Sequence, residues 1–249
     1  MLERRSALES SDPPTGGREA RPLVIGEVRG FTLLQAAAFV GTVAALERAV
    51  RSALGVELPK RMDAPRHANG VCVFKTGPEA FLLVGPDDAR PASTAQAGLE
   101  SSSNPVPLFA EDTRLCKVGP EQVRPAGAQG SWMDALREAV PSAMGSLTPL
   151  SHGRTRLFLE GTPAREVLST GIAMDLHPEV FRRDGCALTG LEETPVLLHR
   201  TGSQRYELYV LRTYAGWIWE WLTGAAQPFG YEVVEKTHVS LLAEADGRT

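Results

Sequence analysis

Four adjacent residues, Ser151-His152-Gly153-Arg154, set a hydroxyl, an imidazole and a guanidinium side by side just ahead of an apolar run. A serine and a histidine could perform acyl transfer if the imidazole took the hydroxyl proton. The spacing argues against that chemistry. Neighbours on a strand point to opposite faces, and an elbow nucleophile requires G-x-S-x-G, which this segment lacks. The four residues read instead as a strand entry whose Ser151, His152 and Arg154 bond to backbone groups or meet another protein.

The remaining chemistry-bearing residues are dispersed. His67, His177, His199 and His238 show no His-x-His or His-x-x-x-His spacing, so no metal-binding face follows from their positions. The three cysteines, Cys72, Cys116 and Cys186, form no Cys-x-x-Cys pair, which suggests neither a disulfide framework nor a zinc site and fits a reducing, cytoplasmic setting. No G-x-G-x-x-G follows a strand, and no G-x-x-x-x-G-K-[ST] is present, so a nucleotide-binding loop is not expected. The carboxyl pairs Asp87-Asp88 and Glu192-Glu193 lie in turn-like contexts and read as solvated. No residue is therefore assigned a catalytic, cofactor-binding or metal-binding role.

The segment TYAGWIWEWLTGAA carries Trp217, Trp219 and Trp221 at every second position. On a helix Trp217 and Trp221 share a face, and Trp219 falls on roughly the opposite side. One face packs on a sheet, which leaves aromatic surface for a protein partner, since interfaces favour tryptophan anchors. Trp217, Trp219 and Trp221 join Ser151, His152 and Arg154 as interface candidates.

The elements that position these residues repeat a coarse pattern. In the second half TRLFLEG is a strand and Pro163 to Thr170 a helix. PVLLHRT and YELYVLR are strands around Gly202-Ser203. Tyr214 to Ala226 is a helix, and YEVVEKTHV a last strand. The order is βαββαβ, a ferredoxin-like unit. In the first half VIGEVRGFTLLQ reads as one irregular strand and Phe39 to Leu54 as a helix closed by Gly55. GVCVFKT and AFLLVG are strands around Gly77-Pro78, Trp132 to Val140 is a helix stopped by Pro141, and Met144 to Leu150 supplies a sixth strand. The expected fold is α+β, with two ferredoxin-like βαββαβ units packed as one body, sheets covered by helices. Residues 1–20 read as a disordered tail, 21–150 as the first half with a Pro/Ser/Gly/Ala-rich insertion at 86–130, 151–240 as the second half and 241–249 as a tail.

The whole chain of 249 residues is long enough to bury a full core. A hydrophobic share of 43%, a charged share of 22% and a net charge of -4 are those of an ordinary globular protein and argue against nucleic acid as a partner. No stretch approaches the length of a membrane span.

The series GPEAFLLVGP, LSHGRTRLFLEG, AREVLSTGIAMDLHPEVF, CALTGLEETPVLLHRTG and YELYVLRTYAGWIWEWL resembles, in this order, the gamma subunit of heterotetrameric sarcosine oxidase. A more distant similarity reaches the folate-binding domain of the glycine-cleavage aminomethyltransferase. The resemblance implies a folate-binding-domain-like fold of the aminomethyltransferase N-terminal type. It implies partners, the alpha, beta and delta subunits of a heterotetramer that oxidises sarcosine to glycine with release of hydrogen peroxide. FAD, FMN, NAD, zinc and tetrahydrofolate would sit on those other subunits, and none on this chain. The aminomethyltransferase carries a G-G-I-x-D-D-type motif, and laid over GLEETPVLLHR its aspartates fall on Thr194 and Pro195. Neither can act as a carboxylate, and only a shifted alignment would bring in Glu192 or Glu193. The folate-binding protein of iron–sulfur cluster repair carries K-G-C-Y-x-G-Q-E; Asp184-Gly185-Cys186 shares its Gly-Cys start without the Lys and Tyr. The expected function is that of a non-catalytic, gamma-type subunit. The alternatives are a free-standing folate-dependent aminomethyl or methyl transferase and a cluster-repair factor.

Overall fold

Nearly every central strand of the chain is apolar at consecutive positions, as in Val71–Phe74, Phe81–Val84 and Leu157–Leu159, and a strand of that kind needs cover on both faces. The computed structural model, which describes residues 8, 23–86 and 131–237, supplies that cover with four layers, helices outside and two sheets inside. The tails at 1–20, apart from Leu8, which packs against the helix-facing core of the second half, and at 241–249, the insertion at 86–130 beyond Pro86, Cys116, His238 and the Asp87-Asp88 pair lie outside the described residues.

The first sheet has five strands in the order β3-β4-β5-β2-β6: β2 (Phe31–Ala38), β3 (Arg66–Ala68), β4 (Val71–Lys75), β5 (Ala80–Pro86) and β6 (Gly145–Pro149). Helices α1 (Val43–Leu54) and α2 (Trp132–Ala139) cover its outer face. The second sheet has six strands in the order β11-β1-β7-β10-β9-β8: β1 (Val24–Val28), β7 (Arg154–Glu160), β8 (Cys186–Leu191), β9 (Thr194–His199), β10 (Arg205–Leu211) and β11 (Glu232–Thr237). Helices α3 (Ala164–Ser169) and α4 (Ala215–Ala226) cover that one. Omitting β1, β3 and β8, each half is the expected βαββαβ unit.

Alternation along each strand decides which side chain enters which layer. On β4, Val71 and Val73 join the helix-facing core while Cys72 and Phe74 enter the layer between the sheets. On β10, Leu208 and Val210 face the helices while Tyr209 faces inward. A shift of one residue in any of these strands would exchange the two sets, so the register is strongly specified.

Local signals fix the helix ends. Ser131 caps α2: its hydroxyl accepts from the Met133 N–H, and the Asp134 carboxylate accepts from the Ser131 N–H, both at 3.3 Å. Gly55 ends α1 with φ 70°, a left-handed conformation that glycine adopts without penalty.

Two expectations need correction, and one strand was not anticipated. VIGEVRGFTLLQ is two strands in different sheets, because Gly30 (φ 71°) turns the chain between them. Residues 24–28 therefore leave the first half and enter the second sheet between β11 and β7. The helix expected from Phe39 begins at Val43, because β2 continues to Ala38 in register with Gly145, where any side chain would strike the Ala37 carbonyl. CALTGL is an edge strand, β8, whose mixed exposure hides the alternation that would have revealed it.

The inserted strand β1 is tightly accommodated. A Cβ at Gly26 would sit 2.6 Å from the Phe158 ring and 2.7 Å from the Val234 carbonyl of β11. Gly26→Ala should cost about 2 kcal/mol, read as a fall in melting temperature of about 4–8 °C. An unchanged melting temperature would show that β1 does not hold this position.

Candidate functional site

The layer between the sheets is apolar at one end and ionic at the other. Its apolar part is built from Val28, Phe31, Leu33, Leu82, Val84, Phe158 and Leu197. Beside these, Arg156 of β7 and Glu207 of β10 point inward, both essentially inaccessible to solvent. The Arg156 Nε and Nη2 donate to Glu207 Oε2 at 2.9 and 2.6 Å, and the Tyr209 hydroxyl donates to the same oxygen at 3.4 Å. The guanidinium lies 5.5 Å from the Tyr209 ring centre and 5.9 Å from that of Phe31. Burial opposes charge on both partners, and each outweighs it for the other. Arg156 is raised and Glu207 lowered from their ordinary pKa values, so both stay ionised.

Farther along the same layer, strand pairing brings more titratable groups together. His67 on β3 pairs with Cys72 on β4, and His199 on β9 pairs with Cys186 on β8 and Glu207 on β10. Asp184, in the loop before β8, joins the two halves: His67 Nε2 lies 2.7 Å and His199 Nε2 3.0 Å from Asp184 Oδ1. The imidazoles stack with centres 5.7 Å apart, and Phe74 meets His199 edge-on at 5.1 Å. Burial would raise the Asp184 pKa. The hydrogen bonds from His199 and His67 reverse that and hold it well below the usual carboxylate range. With its folded pKa depressed, Asp184 adds stability that is present above its unfolded pKa and lost as pH falls through the folded one.

His67, Asp184 and His199 are the group among the described residues whose donor atoms, all within 4.8 Å of one another, could hold a metal ion. Spacing along the chain hid them. His67 and Asp184 are 117 residues apart, and their proximity is a product of sheet stacking. The one local signal was Asp184-Gly185 ahead of a strand, a turn in which Asp184 takes φ 61°.

The two described cysteines are sealed. Cys186 donates its thiol to the Met62 carbonyl at 3.1 Å, and burial pushes its pKa up to about 12. Cys72 is fully buried and pushed well above the ordinary thiol pKa by the same cause, with its sulfur 3.9 Å from His67 Nε2. A thiol kept protonated is a poor nucleophile.

The residues singled out from sequence separate into bonded and exposed groups. The Ser151 hydroxyl accepts from the Leu33 N–H at 2.9 Å and donates to the Leu33 carbonyl at 3.3 Å, which ties the segment to β2. His152 is exposed, and Arg154 opens β7 opposite Leu211, its pKa lowered by burial. Trp219 is 5% exposed, packed in the chain's own core with Ala215, Ile218 and Leu222, which corrects its reading as an interface residue. The helix is turned so that Trp219, rather than the Trp217–Trp221 pair, faces the sheet. Trp221 is half-buried over Gly171, where a Cβ would collide with its ring. Trp217 is 44% exposed, close to exposed Tyr214. Glu192 and Glu193 form the exposed tip of the β8–β9 hairpin, Thr194 is buried and Pro195 exposed.

Fold and site together define a two-unit α+β protein with sealed thiols and a buried ionic layer. Sequence comparison makes the assignment specific. The model of the sarcosine oxidase gamma subunit family matches residues 92–227. The sarcosine oxidase subunit gamma of Corynebacterium sp. (strain U-96) is 30% identical over 139 residues, 55% of this chain and 68% of that protein. Its counterpart from Arthrobacter sp. is 35% identical over 130 residues, 51% of this chain and 63% of that protein. A chain of the solved heterotetrameric sarcosine oxidase from Corynebacterium sp. U-96 superimposes with a TM-score of 0.65 at 26% identity, over 93% of this chain and 98% of that one. The chain belongs to the sarcosine oxidase gamma subunit family.

The burial of both thiols gives a direct check. In the native full-length chain, Cys72 and Cys186 should resist iodoacetamide at pH 8 and react readily in denaturant, as read by peptide mass. Fast labelling of Cys186 in the folded chain would overturn the sealed-thiol geometry.

Proposed function

We propose that the chain is the gamma subunit of a heterotetrameric oxidase acting on sarcosine or a related N-methyl amino acid, and that it contributes structure rather than chemistry. The observation that carries this reading is the superposition over 98% of a chain of the Corynebacterium oxidase, because agreement over a whole fold implies a shared way of fitting into an assembly. In the proposed assembly alpha, beta and delta subunits would carry FAD, FMN, NAD, zinc and tetrahydrofolate. They would oxidise the N-methyl group, release hydrogen peroxide and pass the one-carbon unit to tetrahydrofolate. A cytoplasmic setting fits the free cysteines Cys72 and Cys186. Among the described residues no helix is long and apolar enough to cross a membrane.

The residues support a non-catalytic role. On the alignment that the aminomethyltransferase resemblance implies, Thr194 and Pro195 would stand where its motif has aspartates, and neither side chain can act as a carboxylate. A cluster-repair role built on Cys186 would need a reactive thiol, whereas this one is buried and hydrogen-bonded to Met62. The exposed aromatic pair Tyr214 and Trp217, at the start of α4, suits the anchor of a protein interface. Exposed His152 is a further contact candidate, with Arg154 beside it.

Affinity capture of the tagged full-length chain from its own cells should recover larger subunits and visible flavin absorbance. Trp217→Glu should reduce that recovery about tenfold or more, the effect of losing an interface anchor, with little change in the chain's own melting temperature. Recovery of this chain alone, without flavin, would refute the assembly reading.

A further inference from the structure

We infer that His67, Asp184 and His199 form a binding site for a divalent transition ion of the zinc class, placed where the two βαββαβ units meet. Two imidazole nitrogens and a carboxylate oxygen are a donor set that such ions favour. The three come from different parts of the chain: His67 from the edge strand β3 of the first sheet, His199 from the end of β9 in the second, and Asp184 from the loop before β8.

The geometry is close to what an ion requires. Both Nε2 atoms are directed at a single atom, Asp184 Oδ1, at 2.7 and 3.0 Å. A tetrahedral zinc ion with bonds near 2.0–2.1 Å sets its ligand atoms about 3.3 Å apart. The two N–O separations would therefore widen by about 0.3 and 0.6 Å to admit the ion, with the imidazoles shifting their protons to Nδ1. The proton moved to His199 Nδ1 would be buried without a hydrogen-bond partner, a cost that coordination of the ion has to exceed. Asp184 is the least buried of the three, its side chain 45% exposed, which leaves a route for the ion and room for a water ligand on that side.

The donors are held in place beforehand. The Asp184 N–H donates to the Arg200 carbonyl at 2.7 Å, and the Arg200 N–H donates to the Gly185 carbonyl at 2.9 Å, a reciprocal clamp on the loop. That clamp keeps Asp184 at φ 61°, a conformation rare outside glycine and tolerated by Asp and Asn. The edge of Phe74 and the stacked His67 ring fix the plane of His199. An ion bound here would join the first sheet to the second by direct coordination. This inference is independent of whether the chain assembles with other subunits.

The test is metal binding by the purified, chelator-treated full-length chain, with Zn²⁺ followed by competition against a chromogenic chelator and Co²⁺ by its visible absorption. The wild-type chain should bind about one equivalent and melt at a higher temperature with the metal than without it. His67→Gln and Asp184→Asn should each weaken binding by at least about tenfold and abolish the metal-dependent rise in melting temperature. Asparagine adopts the left-handed conformation and keeps a hydrogen-bond acceptor, so Asp184→Asn decides the matter even if His67→Gln fails to fold by circular dichroism. Failure of the wild-type chain to bind either ion would overturn the inference and leave a hydrogen-bonded clamp only. Binding undiminished in Asp184→Asn would overturn it as well, by placing the ion elsewhere.

Discussion

Arg156 and Glu207 are removed from water between the two sheets, and much of the molecule is arranged so that neither is left alone. A buried ion pair gains little net stability over an apolar pair, yet removing one partner costs about 3–5 kcal/mol, because the remaining charge has no solvent. The pair lies on diagonal positions of adjacent strands: Arg156 stands opposite Tyr209, and Glu207 opposite Phe158. Its orientation therefore depends on the register of β7 against β10. Displacement of either strand by one residue would turn a charge into the helix-facing core. The ionic pair thus selects one register among those that hydrophobicity alone would allow.

The same layer explains why the two halves form one body. The first sheet contributes Phe31, Leu33, Cys72, Phe74, Leu82 and Val84 to it, and the second contributes Phe158, Cys186, Leu197 and Tyr209. The turn at Gly30 carries the chain from one sheet to the other, with Val28 and Phe31 entering the shared layer on either side of it. Strand β1 then fills a gap between β11 and β7, so the second sheet is incomplete without residues that precede the first unit. Neither half is self-sufficient.

The units themselves were readable from the sequence because their central strands and helix stops are local signals. Gly55, Pro141 and the Gly202-Ser203 turn each announce an element end from a few residues. The exchange of β1 between sheets was not readable, since Val24–Val28 and Phe31–Ala38 look alike as apolar strands and only long-range pairing tells them apart. The orientation of α4 was left open for a related reason. Three tryptophans two apart define two faces, and the sequence does not say which one the sheet accepts. The His67–Asp184–His199 cluster was invisible because it arises from an edge strand, a loop and a strand end that meet only when the sheets stack. Alternation along β9 does place His199 on the same face as Leu197, which a strict count of two would have revealed.

A gamma-family fold with two sealed cysteines and an exposed aromatic pair fits the proposed structural role. The central claim is that turnover does not pass through this chain's carboxylates. The most direct measurement is sarcosine oxidation per flavin by the purified assembly carrying Glu192→Ala and Glu193→Ala together, the two exposed carboxylates at the tip of the β8–β9 hairpin, with subunit composition checked by native mass spectrometry. The account predicts kcat and KM within about twofold of the unmodified assembly, since uninvolved surface substitutions cost little. A fall in kcat of about a hundredfold or more in an intact assembly, the scale of a lost general acid or base, would contradict it.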